Sequence, residues 1–141
     1  MRLPTLAVAA AALAIAASPA FAGPAEDMAK ARIASIAKGD VAAGVGAYAP
    51  SATLHWVGGP LDGTYASPDK LKEVWTKFAG AQGDQKTTIA ALSEAANPKG
   101  ATVTADVVFT GKNTVKVRYI LLYRDGKLAD EIWQVNPNAS Y

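Results

Sequence analysis

His55 is the single histidine of the chain, and histidine is the residue type that most readily exchanges a proton near neutral pH. It lies in a short predicted strand, Thr53 to Val57. Alternation along that strand puts it on the face opposite Leu54 and Trp56. Two interpretations stay open: a general acid or base, or a strand-edge histidine that is hydrogen-bonded locally.

Asp130 and Glu131 are the second candidate for proton transfer. Neighbouring residues of a strand point to opposite faces of the sheet, so these carboxylates cannot act together as a pair. Glu131 shares a face with Trp133. If that face borders a cavity, loss of water would make Glu131 a usable base near neutral pH. The alternative is a carboxylate at the rim, paired with Arg118, Arg124 or a lysine.

Aromatic residues from separate segments form the third group of candidates. Each buries a large apolar surface and, except for phenylalanine, carries a hydrogen-bonding group that can orient a ligand. We expect them either to line a pocket for an apolar or aromatic molecule or simply to fill the core. The candidates for ligand contact are Trp56, Tyr65, Trp75, Tyr119 and Trp133.

The composition argues against several classes of site. The chain has no cysteine, so thiol chemistry, disulfides and cysteine metal sites are excluded. One histidine cannot build a multi-histidine centre, and no carboxylates have calcium-loop spacing. We therefore expect no metal and no cofactor. The charges are scattered singly, which does not indicate a nucleic-acid partner.

The first 22 residues have the pattern of a secretory leader. Arg2 precedes an apolar, alanine-rich run from Leu6 to Ala17, and Ala20-Phe21-Ala22 is a small-x-small cleavage signal before Gly23. The run is too short to span a bilayer of about 30 Å. We expect cleavage near Ala22–Gly23 and a periplasmic or secreted protein without stable membrane insertion. The alternative is an uncleaved membrane tether.

The chain after the leader has the length of one domain, residues 23–141. Arg2 is the one charged residue of the leader, so 13 basic and 12 acidic residues remain. Helical patterns run from Pro24 to Lys38, from Asp40 to Tyr48, and from Pro68 to about Ala79. After Gln85 the pattern alternates with a period of two, which predicts strands over residues 86–95, 102–110, 115–123 and 127–135.

This order predicts an α+β fold in which three N-terminal helices pack on one face of a curved antiparallel sheet. With its motifs, it resembles the nuclear transport factor 2-like superfamily, which includes SnoaL-like cyclases and ketosteroid isomerases. The resemblance implies a cone-shaped fold with an apolar cavity, bordered by the Glu131 face, and commonly a homodimer. The motifs that carry it are Lys38-Gly39-Asp40, the segment Tyr48 to Trp56, Gly63-Thr64-Tyr65 before a Ser-Pro-Asp-capped helix, and Gly126-Lys127-Leu128 with Trp133.

The same resemblance argues against ketosteroid isomerisation. Alignment puts Trp56 where such an isomerase has its general-base aspartate, Arg32 where it has its oxyanion tyrosine, and Tyr119 where it has a protonated aspartate. The base is absent and the donors differ, whereas proton shuttling needs a carboxylate within hydrogen-bond reach of the carbon acid.

We therefore expect a SnoaL-like protein with an aromatic-lined cavity that binds a small apolar molecule. One alternative is a cofactor-free isomerase, cyclase or hydrolase that uses Glu131 or His55 as base and Tyr119 as donor. Another is a structural or assembly dimer without a ligand, because this fold hosts enzymes, binders and assembly modules alike.

Overall fold

The computed structural model describes residues 23–141. The predicted leader lies outside the described residues, so export stays a prediction. Among the helices of residues 23–141, none has the length and apolar character needed to cross a membrane.

Within residues 23–141, three helices precede or interrupt the strands: α1 (Pro24–Lys38), α2 (Val41–Gly46) and α3 (Pro68–Gln82). Their ends follow from local chemistry. Gly39 ends α1 in the left-handed region at φ 70°, where glycine meets no steric penalty. The Asp40 side chain accepts from the Ala43 N–H at 3.1 Å to cap α2, and Ser67 caps α3.

One six-stranded sheet runs through residues 48–135 in the order β2-β1-β6-β5-β4-β3. The meander β3 to β6 is antiparallel, as the sequence predicts, and β1 lies parallel to β6. The strands are β1 (Tyr48–Val57), β2 (Gly63–Tyr65), β3 (Lys86–Asn97), β4 (Gly100–Thr110), β5 (Thr114–Arg124) and β6 (Lys127–Val135).

The chain leaves α2 earlier than its sequence pattern predicts. Tyr48, expected to end the helix, is instead the first residue of β1 and lies beside Leu128 of β6. Gly44 and Gly46 weaken the short helix, while the Leu128 N–H donates to the Ala47 carbonyl at 2.9 Å. Strand pairing therefore overrides helical spacing at this point.

The core lies between the helices and the inner face of β4, β5 and β6. Alternation along β4 and β5 predicts which side chains face the helices, and those side chains are buried, as expected. The inner face presents Val103, Ala105, Val107, Phe109, Val117, Tyr119, Leu121 and Tyr123, and helices α1 and α3 contribute Ile33, Ile36, Leu71, Val74, Trp75 and Phe78.

The last turn of α3 is held against the β4–β5 turn by Gln82, which is buried. Its side-chain nitrogen donates to the Asn113 carbonyl at 2.9 Å, and its side-chain oxygen accepts from the Asn113 N–H at 3.2 Å. Its carbonyl accepts from the Lys112 N–H at 2.9 Å. These bonds explain why the helix runs beyond Ala79, and they position α3 over the sheet.

Gly111 permits this approach, and we predict that Gly111→Ala destabilises the fold. A Cβ there would lie 2.5 Å from the Gln82 carbonyl oxygen and 2.8 Å from Gln85 Cγ. The overlap should lower the free energy of unfolding by about 1–3 kcal/mol in urea denaturation. Gly80→Ala is the control: outside the backbone of its own helix, its Cβ would meet no atom of residues 23–141 within 4 Å, and a helical glycine replaced by alanine should raise stability by about 0.5–1 kcal/mol. Equal effects would contradict this account.

Candidate functional site

A buried ion pair joins α1 to β6 between the helix and the inner face of the sheet. Arg32 Nε lies 3.1 Å from Glu131 Oε2, and Arg32 Nη2 lies 3.2 Å from Glu131 Oε1. The two residues are 4% and 1% exposed. A bidentate pair of this kind satisfies two charges that would be costly to bury singly.

Two tyrosines and a tryptophan complete the polar network around this pair. Tyr48 and Tyr119 each donate a hydrogen bond to Glu131, one to each carboxylate oxygen. Arg32 Nε also donates to the Tyr119 hydroxyl at 2.7 Å, and Trp75 Nε1 donates to the Tyr48 hydroxyl at 2.7 Å. Residues of α1, β1, α3, β5 and β6 therefore meet at one carboxylate.

The surroundings shift the pKa values of the arginine and the tyrosines in this network. Burial lowers the pKa of Arg32, but the attraction of the Glu131 carboxylate outweighs it, so the pKa is raised well above its ordinary value. Burial raises the pKa of both Tyr48 and Tyr119, because a phenolate there would lose its water. Tyr123 is nearby, and burial raises its pKa to about 12. At neutral pH the phenols therefore remain donors.

Glu131 is saturated as an acceptor. Its two oxygens receive bonds from Arg32, Tyr48 and Tyr119, and its side chain has no exposed surface. A general base must reach the proton it removes, either directly or through one water. In this arrangement, Glu131 is therefore the partner of a buried guanidinium. Arg118, one of the rim partners considered for Glu131, instead pairs with Asp106 at 3.0 Å.

Beside this network the aromatic side chains pack against one another. Trp133 is at the centre: its ring centroid lies 4.9 Å from that of Trp56, 5.2 Å from that of Trp75 and 5.1 Å from that of Tyr119. Phe78 and Phe109 complete the cluster at 5.4 and 5.0 Å from Trp133. These are contact distances for aromatic pairs, so the rings themselves fill the interior between them.

The predicted ligand-contact residues therefore divide into two groups. Trp56, Trp75, Tyr119 and Trp133 converge, as the sequence suggests, but around one another rather than around an open space. Tyr65, on β2, is half-buried at the edge of the core and donates its hydroxyl to the Leu61 carbonyl at 2.7 Å.

His55 lies away from the other two predicted proton-transfer residues. It is on the outer face of β1, with its side chain 43% exposed, and its Nε2 lies 3.4 Å from Asp130 Oδ1. Glu131 and Tyr119 are on the inner face and are bonded to each other. The structure thus brings Glu131 and Tyr119 together and separates His55 from both.

An apolar groove of about 490 Å³ lies at one end of the aromatic cluster, between α3, the β1–β2 loop and the ends of β5 and β6. Trp56 and Phe78 belong to both the cluster and the groove. The remaining apolar lining is supplied by Pro60, Leu61, Ala81, Val115 and Val135, and the polar lining by Lys77, Gln82 and Asn113.

The position of Arg32 in the sequence indicates that it is buried. The helix α1 buries a stripe that includes Ala29, Ile33 and Ile36, and Arg32 falls on that stripe. A charged residue on a buried helix face needs an opposite charge. That rule identifies Arg32, but it does not identify a partner 99 positions away.

Comparisons with known proteins support the fold. The structure resembles a protein from Xanthomonas campestris described as a calcium/calmodulin dependent protein kinase II association domain, with a TM-score of 0.71, 20% identity, and coverage of 88% of this chain and 95% of that chain. It also resembles a ketosteroid isomerase-like protein from Erwinia carotovora atroseptica, with a TM-score of 0.61, 18% identity, and coverage of 78% of this chain and 92% of that chain. A third similar structure is an NTF2-like protein of unknown function from Pseudomonas putida KT2440, with a TM-score of 0.63, 16% identity, and coverage of 82% of this chain and 89% of that chain.

No protein-family model and no curated protein matches the sequence. At these identities the likeness establishes the fold alone. The chain has the curved-sheet fold of nuclear transport factor 2-like and ketosteroid isomerase-like proteins, which confirms the predicted α+β architecture.

The buried pair predicts a large loss of stability in Glu131→Gln. The substitution leaves Arg32 charged and unpaired in the interior, which should cost about 3–5 kcal/mol in the free energy of unfolding measured with urea. The double variant Arg32→Met, Glu131→Met removes both charges and should recover most of that loss.

Asp106→Asn is the matched control, because it breaks the second arginine–carboxylate pair, whose Arg118 side chain is 52% exposed. Asp106→Asn should lower the free energy of unfolding much less than Glu131→Gln does, since solvent screens exposed charges. A Glu131→Gln loss no larger than that of Asp106→Asn would show that the buried pair does not hold the fold together.

Proposed function

We propose that this protein binds a small, largely apolar molecule in the groove over Trp56 and Phe78. The observation that carries the proposal is an open apolar recess of about 490 Å³, bordered by Trp56 and Phe78 at one end of an otherwise closed aromatic cluster. Its volume lies within the range of small-molecule sites, and its lining is mainly hydrophobic, as is usual for such sites.

The groove suits a ligand better than the interior does. A molecule between Trp75 and Trp133 would have to separate rings whose centroids are 5.2 Å apart and disturb the bonds around Glu131. A molecule in the groove contacts Trp56 and Phe78 and leaves that network intact. Of the aromatic residues predicted to contact a ligand, Trp56 then lines the groove, whereas Trp75 and Trp133 pack behind it and support it.

The polar groups of the groove favour an uncharged ligand. Both ends of the Gln82 amide are already bonded to Asn113, and the Lys77 ammonium lies 3.0 Å from Glu73 Oε1. Recognition would then come from apolar contact, with the exposed Asn113 side chain available to orient one polar atom. The proposed class is a neutral apolar or aromatic molecule.

Assembly is a second candidate, favoured by the closed interior. The outer face of the sheet presents half-buried Ile120, Leu122 and Ile132 on neighbouring strands β5 and β6, where a second copy could cover them. The Xanthomonas protein of similar fold is described as an association domain. A homodimer of this kind is compatible with ligand binding, because the groove lies on another side of the sheet.

The catalytic alternative rests on Glu131 and Tyr119 as base and donor, since these two are joined directly. It requires a substrate to displace Tyr48 and Trp75, which close the carboxylate from above. His55, on the outer face, would have no part in the same step. We therefore rank catalysis below binding.

Binding at the groove predicts that Leu61→Glu weakens the binding of a neutral probe. The neutral probe N-phenyl-1-naphthylamine should gain fluorescence on addition to the native protein, and a carboxylate in the apolar lining should weaken its binding roughly tenfold or more, because the charge must be desolvated.

Val57→Glu is the matched control: it places the same charge at the exposed end of β1, outside the groove lining. It should leave the dissociation constant unchanged. Absence of probe binding by the native protein, or equal weakening in both variants, would refute the groove as the site.

A further inference from the structure

The start of α1 is held by a carboxylate from the far edge of the sheet. Glu94, on β3, accepts from the Ala25 N–H through Oε1 at 3.3 Å. Gly23, the N-cap residue, contributes no side-chain cap of its own. The helix therefore obtains its cap from a residue 69 positions further along the chain.

The second oxygen of the same carboxylate lies against Gly23. A Cβ built on Gly23 would overlap Glu94 Oε2 and Cδ, so only a residue without a side chain lets the carboxylate take this position. The Gly23 nitrogen is two bonds from that Cβ position, which places it within about 4 Å of the carboxylate. That separation is within the reach of an ion pair.

The sequence marks the same residue independently. Ala20-Phe21-Ala22 is a cleavage signal that points to the bond before Gly23, and it consists of residue types alone, without reference to Glu94. Sequence motif and tertiary contact thus converge on one peptide bond.

We propose that this bond is hydrolysed by a leader peptidase and that the ammonium group it releases pairs with Glu94. Water supplies the hydroxyl that becomes part of the Ala22 carboxylate, and the Gly23 nitrogen takes up protons to become an ammonium group. Glu94 thus binds the new N-terminus of the chain. This pairing does not depend on ligand binding in the groove.

Electrostatics explain why such a site is needed. A positive charge at the N-terminus of a helix opposes the helix dipole, which favours anions there. Cleavage before Gly23 puts an ammonium group at that end of α1. Glu26 and Asp27 lie in the first turn of α1, and the Glu94 carboxylate, from β3, lies against Gly23.

The experiment uses the full chain, exported with its own leader by a Gram-negative host. Intact mass should show a product that begins at Gly23. The rate of acylation of its α-amino group by an N-hydroxysuccinimide ester at pH 7, followed by peptide mapping, then reports the pairing. We expect acylation to be severalfold faster in Glu94→Gln, because an unpaired ammonium group loses its proton more readily.

Glu73→Gln is the matched control, since it removes a carboxylate on α3 that pairs with Lys70 and Lys77. Its acylation rate should equal that of the native chain. Glu94→Asp keeps the charge on a shorter side chain and should give an intermediate rate, which also provides the measurement if the glutamine variant does not fold. A product with another first residue, or equal rates in the native and Glu94 variants, would overturn the proposal.

Discussion

The position of α1 on the sheet depends on the contact between the Arg32 guanidinium and the Glu131 carboxylate. This ion pair, with Tyr48, Tyr119 and Trp75, joins three strands and two helices, and Arg32 and Glu131 are almost completely buried there. Any shift of α1 along the sheet would leave a buried charge without its partner, which is far more costly than losing an apolar contact. We therefore regard the pair as the feature that specifies how the helices sit on the sheet.

This constraint also explains where a ligand can bind. One end of the interior is closed by the polar network, and the space beside it is occupied by Trp133 and the rings around it. The apolar surface that a ligand can reach therefore lies in the groove over Trp56 and Phe78. Proteins with the same fold have different functions, so the location of the open surface is a better guide here than the likeness itself.

Much of this architecture can be predicted from the sequence. Clean alternation in β4 and β5 identifies the inner face, and the caps at Gly39 and Ser67 identify helix ends. Helical spacing does not predict the start of β1 at Tyr48, because pairing with β6 decides it. Whether converging aromatic rings enclose a space or fill it depends on side-chain packing, which periodicity does not report. Periodicity does not predict the partner of Arg32 either, because that partner is 99 positions away in the chain.

A crystal structure of the protein with a neutral apolar ligand tests this account most directly. The account predicts ligand density in the groove against Trp56 and Phe78, with the bonds from Arg32, Tyr48 and Tyr119 to Glu131 intact. Ligand density between Trp75 and Trp133, with the Arg32–Glu131 pair separated, would contradict it.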